Sequence, residues 1–424
     1  MKLAVVGGGS TYTPELIDGF ARLRDTLPIE ELHLVDTDPE RLALVGGMSR
    51  RMFARAGHPG RIVTTTDLVA GVADADAVLV QLRVGGQAAR RGDETFPHAC
   101  GCIGQETTGP GGLAKALRTV PVVLDVAEAV RRHAKPDAWI VDFTNPVGIV
   151  TRALLEEGHR AVGLCNVAIG FQRRFASMLG VAPTEVALGH VGLNHLTWER
   201  SVGVRGDAGQ WHDRLPGLLA SRLGELASEV GLPSALLALQ GMVPSYYLRY
   251  YYAHDEVLAE QLAGDTRADA VLAVERELLA QYADPAIDEK PEALAKRGGA
   301  FYSEAAVDVL ASLVGDRGDT QVVNVRNDGV LPFLPDDHVI EVPAVVRRAG
   351  LEPLQVDPLP ADVSGLISHV AGYERLALEA AVHGGRDRVL RAMLAHPLVG
   401  GFDRAERLTD LLLEQNRHHL AWAR

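Results

Sequence analysis

The chain opens "MKLAVVGGGSTYTPEL" (Met1–Leu16): a four-residue apolar run, three glycines, then Pro14 near a candidate helix start. An apolar run that breaks into glycine and restarts as a helix reads as a first strand, a tight turn and a helix N-terminus. Backbone without Cβ lets a diphosphate approach, and the helix end supplies N–H donors and a positive dipole. The usual dinucleotide fingerprint carries a third glycine where this chain has Tyr12. A tight strand-to-helix connection is the competing reading. The second apolar run, "ELHLVDTD" (Glu31–Asp38), ends at Asp36. An acid there accepts from ribose hydroxyls and repels the extra phosphate of NADP. Gly7, Gly9, Ser10 and Asp36 together predict an NAD site.

The pattern continues outward. Asp38 can cap a helix whose first position is Pro39. "RIVTTTD" (Arg61–Asp67), "DAVLVQLR" (Asp76–Arg83), "AWIVDFTNP" (Ala138–Pro146) and "RAVGLCN" (Arg160–Asn166) read as further strands. They are continuous apolar runs, as expected of strands covered on both faces. The expected fold is α/β: a Rossmann-type, doubly wound, mostly parallel sheet over residues 1–180. An α+β domain for substrate, metal and oligomerisation is expected over 181–424, packed closely on the first. Within it, "EVALGHVGLNHLTWERSVGVRG" (Glu185–Gly206) reads as strands with a turn, and helices dominate up to about Gly315. "QVVNVRNDG" and "HVIEVPAVV" read as a strand pair, followed by closing helices from about Ala361.

Composition excludes several classes of function. A formal charge of −13 argues against nucleic-acid binding, which needs a basic surface. A few local arginines can still make a positive pocket for an anionic substrate. The N-terminal apolar run is too short for a signal peptide, and no uncharged stretch approaches the roughly 20 residues that span a bilayer. Three cysteines in 424 residues give no disulfide framework. A cytoplasmic location is expected.

Candidate functional residues fall just after the predicted strands, where open α/β sheets bind ligands. Asn145, in "DFTNPVG" (Asp142–Gly148), precedes Pro146 in a turn and faces the expected crevice. Cys165 ends a strand, and His195 follows in "GLNHLTW" (Gly192–Trp198). Thiolate and imidazole both suit a divalent transition metal, and two ligands leave positions for substrate oxygens. A buried thiol and a core histidine are the competing readings. In "VPSYYLRYYYAHD" (Val243–Asp255), Tyr247, Tyr250 and Tyr251 recur at helical spacing, which favours a packed aromatic face over a tyrosine base. Arg83, Arg90, Arg91, Lys296 and Arg297 lie beside glycines and can meet phosphate oxygens. Between these groups, "IGQETTGPGGLAKALRTVP" (Ile103–Pro121) reads as a glycine-rich loop entering a helix.

Taken in order, these motifs resemble the NAD- and metal-dependent glycoside hydrolases of family 4: "VVGGGSTYTPEL", "LRVGGQAARRGDE", "GCIGQETTGPGG", "DFTNPVG", "GLCNVAIG", "GLNHLTW", "YYLRYY" and "KRGG". That family stands outside the two-carboxylate rule of glycoside hydrolysis. The resemblance implies NAD and a manganese-like divalent ion as cofactors, the ion held by Cys165 and His195. It implies that Asn145 and Asn166 contact sugar hydroxyls or metal-bound oxygens, and that Arg90 and Arg297 hold a substrate 6-phosphate. Tyr247 is the implied base, with Tyr246, Tyr250 and Tyr251 as alternatives. Two features point to the 6-phospho-β-glucosidases: Asn166 follows Cys165 where α-type members carry His, and Met242 stands where they carry Asp.

The implied reaction oxidises C3 of the sugar with NAD, removes the C2 proton, and eliminates the aglycone. Water then adds at C1 and NADH returns its hydride, so hydrolysis has no net redox change. The implied substrate is a phosphorylated disaccharide or aryl glucoside, and the implied assembly a homodimer or homotetramer. An NAD-dependent 2-hydroxyacid dehydrogenase and a non-catalytic NAD/sugar-phosphate sensor are the alternative functions.

Overall fold

Five parallel strands and their crossovers build the N-terminal half around the glycine turn, and a sixth, shorter strand closes it. The computed structural model describes residues 1–206, 209–298 and 301–423. The strands are β1 (Lys2–Val6), β2 (Glu31–Val35), β3 (Arg61–Thr65), β4 (Ala77–Val80), β5 (Trp139–Asp142) and β6 (Ala161–Gly163). Their order is β3-β2-β1-β4-β5-β6, all pairs parallel. This is the dinucleotide-binding order, in which the chain reverses direction across the sheet between β1 and β4 and leaves a crevice at their carboxyl ends.

The local signals act as the sequence suggests. Pro14 lies in the first turn of helix Thr13–Arg22, whose Leu16, Ile17 and Phe20 are fully buried against the sheet. Each such side chain contributes on the order of 1.5–3 kcal/mol by leaving water. Asp38 caps helix Pro39–Arg55, its carboxylate accepting from the amides of Glu40 and Arg41 at 3.0 Å each.

The C-terminal half does not build a separate sheet. Its strands are β7 (Val186–Leu193), β8 (Leu196–Arg205), β9 (Trp211–Asp213), β10 (Val243–Pro244), β11 (Asp319–Arg326), β12 (Val339–Arg347) and β13 (Gly350–Pro353). β11 pairs antiparallel with β6 through Asn324 and Gly163, and β12, β7, β8 and β10 continue the same sheet. The sheet therefore crosses the expected 180/181 boundary without a break. Sequence alone does not reveal this, because β11 reaches β6 from more than 150 residues away. Helix Gly109–His133, mostly buried, packs against helices of both halves, among them Val147–Glu156 and Ala361–His383.

The tyrosine-rich stretch departs from one continuous helical face. Tyr246–Leu248 forms a 3-10 turn, and only Arg249–Tyr252 is α-helical. The two pieces send Tyr250 inward and leave Tyr246 46% exposed. No helix among the described residues is long and apolar enough to cross a membrane.

Candidate active site

A cavity of about 630 Å³ opens at the carboxyl ends of β1, β4, β5 and β6. Ser10 and Tyr12 reach it after β1, Arg83 after β4, Asn145 after β5 and Asn166 after β6. The C-terminal half adds Tyr247, Arg297 and Tyr302. Among the described residues lining it, six arginines and lysines face four carboxylates. In a chain of net charge −13 this is a local positive excess, suited to an anionic ligand.

The glycine turn is locked by its neighbours. The amides of Gly7 and Gly8 both donate to the Val35 carbonyl, at 2.9 and 2.8 Å. Gly7 has φ +89°, and a Cβ there would stand 2.5 Å from the Gln81 carbonyl oxygen. Gly9 donates to Asp36 Oδ2 at 2.9 Å, and its own Cβ would meet that carboxylate at the same distance. The turn's first three amides are thus satisfied inside the protein, and Gly7 and Gly9 act through the space they leave. Asp36 closes the turn while its Oδ1 accepts from the Asp38 amide at 3.2 Å. Ser10 carries a hydroxyl into the cavity, and Asn145 Oδ1 is buried without a hydrogen-bond partner. A side-chain-free turn, an acid at the end of β2 and an orphaned acceptor on the crevice wall together fit a dinucleotide.

Cys165 and His195 approach Tyr247 from two directions. Cys165 lies two residues beyond β6 and is 5% exposed. The Val167 amide, the Asn194 side chain and the Tyr302 hydroxyl lie near its sulfur and favour the thiolate. Burial still pushes the thiol well up, and the nearby Glu341 carboxylate adds to that. His195 is the second residue of the two-residue turn between β7 and β8, in left-handed conformation at φ 63°. Its imidazole stacks on Tyr247, and Nδ1 lies 2.9 Å from Thr107 Oγ1.

The Thr107 hydroxyl lies 2.9 Å from Gln105 Oε1, and donating its one hydrogen there leaves it to accept from His195 Nδ1–H. The lone pair of His195 is then on Nε2, the arrangement a metal-binding histidine needs. Burial lowers this imidazole to about 4 and keeps it neutral. No group of three or more His, Cys, Asp or Glu able to hold a metal occurs among the described residues. One thiol ringed by donors and one neutral imidazole fit an exchangeable ion that completes its coordination with substrate oxygens.

The predicted arginines are both present, but they occupy different parts of the wall. Arg90 pairs with Glu94 at 2.7 Å and Glu106 at 3.2 Å. Arg297 donates to Thr11 Oγ1 at 2.7 Å, reaches Ser10 at 3.4 Å and Glu275 at 3.3 Å, and lies over the Tyr12 ring. Arg297 therefore sits against the glycine-turn side of the cavity. Gly299 of the "KRGG" motif lies outside the described residues.

Sequence reasoning missed Glu106. Its carboxylate is the hub for Arg83, for Lys115 at 2.6 Å and for Arg90. Burial opposes its charge, yet the three cations hold it well below the usual carboxylate range. Burial in turn lowers Lys115 to about 7. A lone acid inside a glycine- and threonine-rich run was the available signal.

The description "Family 4 glycosyl hydrolase" matches residues 2–181, and that family's C-terminal domain matches residues 190–399. The chain belongs to glycosyl hydrolase family 4. A family 4 relative named "Probable 6-phospho-beta-glucosidase", from Bacillus subtilis, is 40% identical over 99% of this chain and 97% of its own. An Escherichia coli 6-phospho-beta-glucosidase is 35% identical over 94% and 91%. A Thermotoga maritima 6-phospho-beta glucosidase, solved with manganese, NAD+ and glucose-6-phosphate, superposes at TM-score 0.92 with 35% identity, over 99% of both chains. Malate dehydrogenase from Salinibacter ruber shares the dehydrogenase-type fold at TM-score 0.50 and 18% identity, a likeness of fold alone. The family 4 chain is a glycosidase by these relationships.

Proposed function

We propose that this chain hydrolyses 6-phospho-β-D-glucosides, such as cellobiose 6-phosphate, to glucose 6-phosphate, with NAD and a divalent cation, Mn2+, as cofactors. One observation carries the reading. A neutral imidazole with Nδ1 at the Thr107 hydroxyl stacks on Tyr247, and the buried Cys165 thiol lies beside the same tyrosine. Tyr247 lines the positively charged cavity, and His195 lines a small adjoining pocket with Thr107 and Asn194.

When bound, NAD takes up and returns a hydride at C3, and the cation polarises the substrate oxygens at C2 and C3. Cys165 and His195 hold the cation. Gly7, Gly9, Ser10, Asp36 and Asn145 hold the dinucleotide, Gly7 and Gly9 by shape and the others by their polar atoms. Tyr247 takes the C2 proton on its phenol oxygen. Burial pushes that phenol well up, with Cys165 adding to the effect and Arg90 opposing it, so a cation beside it favours the phenolate. Asn145 and Asn166 contact sugar hydroxyls. Arg90 holds the 6-phosphate, and Arg297, reaching Ser10 and Thr11, closes on it from the cofactor side.

Residues 1–180 serve as the NAD domain and 181–424 as the substrate and oligomerisation domain of a homodimer or homotetramer. The three unpaired cysteines, Cys100, Cys102 and Cys165, support a reducing, cytoplasmic setting.

The test is cleavage of 4-nitrophenyl 6-phospho-β-glucoside by the purified chain under reducing conditions. Activity that needs both NAD and Mn2+ and leaves no net NADH supports the reading. Cleavage unchanged after both are stripped refutes it.

A further inference from the structure

Behind the Cys165–His195 pair lies a buried charge cluster that no substrate-facing role explains. His190 on β7 sits between two carboxylates, Glu199 on β8 (Nδ1 to Oε1, 2.6 Å) and Glu341 on β12 (Nε2 to Oε1, 3.0 Å). All three residues are at most 1% exposed, and none lines the cavity. With the imidazole protonated, the trio carries one excess negative charge, and Glu199 Oε2 has no hydrogen-bond partner. Burying such a group is costly, and a well-packed apolar trio is often at least as stable.

The cluster reaches the site through one side chain. Glu341 Oε2 accepts from Asn324 Nδ2 at 3.1 Å and from Asn194 Nδ2 at 2.8 Å. Asn194 has a second amide hydrogen, and its side chain lies beside the Cys165 thiol, where it favours the thiolate. It immediately precedes His195 in the β7–β8 turn. One amide thus connects the anionic cluster, the thiol and the backbone that carries the imidazole.

We infer that Glu341 and Asn194 are positioning residues for the divalent cation. Glu341 fixes the Asn194 amide, Asn194 sits beside the Cys165 sulfur while holding the turn that presents His195, and the surplus negative charge of the cluster favours a cation at that spot. Partners of this kind orient metal ligands, and their loss typically weakens metal binding by about 10- to 100-fold. The inference rests on the reading of Cys165 and His195 as the cation's ligands.

The experiment measures Mn2+ affinity of the full-length chain with NAD present, from the electron paramagnetic resonance signal of free Mn2+. It is paired with the sulfur-to-cobalt absorption band of the Co2+-loaded protein. Asn194→Ala and Glu341→Gln are compared with the wild type and with Cys165→Ser. NAD affinity and the unfolding midpoint report the fold. The expected result is Mn2+ binding weakened roughly 10- to 100-fold in both variants, with the cobalt band shifted or reduced and NAD affinity unchanged. A purely structural role would lower the unfolding midpoint and leave the metal readouts alone; that result overturns the inference. If Glu341→Gln does not fold, Asn194→Ala decides by the same two readouts. Wild-type Mn2+ binding that Cys165→Ser leaves unchanged overturns the ligand reading and this inference with it. Loss in Cys165→Ser alone overturns only the inference.

Discussion

The imidazole of His195 lies flat against the phenol ring of Tyr247, with centroids 3.7 Å apart and planes 13° apart. The stack places the proposed base against the proposed metal ligand, so the two roles can be separated by keeping the ring and removing the hydroxyl. Tyr247→Phe is expected to bind Mn2+ and NAD within about twofold of wild type while kcat falls roughly 10²- to 10⁴-fold. Isotope-coded turnover and metal titration check both halves. A fully active phenylalanine variant would move the base to another tyrosine of this stretch.

The glycine turn separates shape from packing. Gly7→Ala forces a left-handed alanine whose Cβ meets the Gln81 carbonyl oxygen, so it lowers stability by at least about 1–2 kcal/mol. Gly9→Ala presses only on the Asp36 side chain, which can turn away and give up its 2.9 Å bond. Calorimetry is expected to show a lower unfolding midpoint for Gly7→Ala. Gly9→Ala is expected to keep the midpoint and lose NAD affinity.

Arg90 is held by Glu94 and Glu106, and Glu106 keeps Arg83 and Lys115 when Arg90 is removed. The fold is therefore expected to survive Arg90→Ala. Charge-assisted hydrogen bonds are worth about 1.5–3 kcal/mol, so KM for a 6-phospho-β-glucoside should rise roughly 10- to 100-fold. Steady-state kinetics check this, and an unchanged KM would take the phosphate role from Arg90.

Burial depresses the His190 imidazole, but Glu199 and Glu341 outweigh it and raise the ring to about 10. The sign follows from linkage: a raised histidine contributes stability in full below its ordinary value near 6.5. That contribution is lost as pH rises through about 10. Lys115, lowered to about 7, works in the opposite sense over the alkaline range, so the ring itself is the better reporter. Ring nitrogen NMR is expected to show His190 protonated at pH 8 and His195 neutral. A His190 titration near 6.5 would contradict the charged cluster.

The parallel half was legible because its signals are local. Leu3–Val6 into Gly7, and Asp38 before Pro39, each announce a boundary within a few residues, and the strand order follows from the crossovers. Cys165, His195 and Asn145 were legible as candidates from the short motifs that carry them. What was hidden depends on distant pairing. Glu341 meets His190 only because β12 lies beside β7, a register fixed by contacts across 151 residues. His190 and Glu199, on β7 and β8, are both buried. Tyr302 lies outside the sequence motifs, yet its hydroxyl lies near the Cys165 sulfur. Arg297 was legible as a candidate, but its place against Ser10 and Thr11 was not.

The central claim is that C–O cleavage proceeds through transient oxidation at C3 and removal of the C2 proton by Tyr247. Turnover of 4-nitrophenyl 6-phospho-β-glucoside in D2O, with NAD and Mn2+, tests it in one step by NMR of the glucose 6-phosphate formed. The account predicts deuterium at C2 of the product and no accumulation of NADH. Product with hydrogen retained at C2 would contradict it.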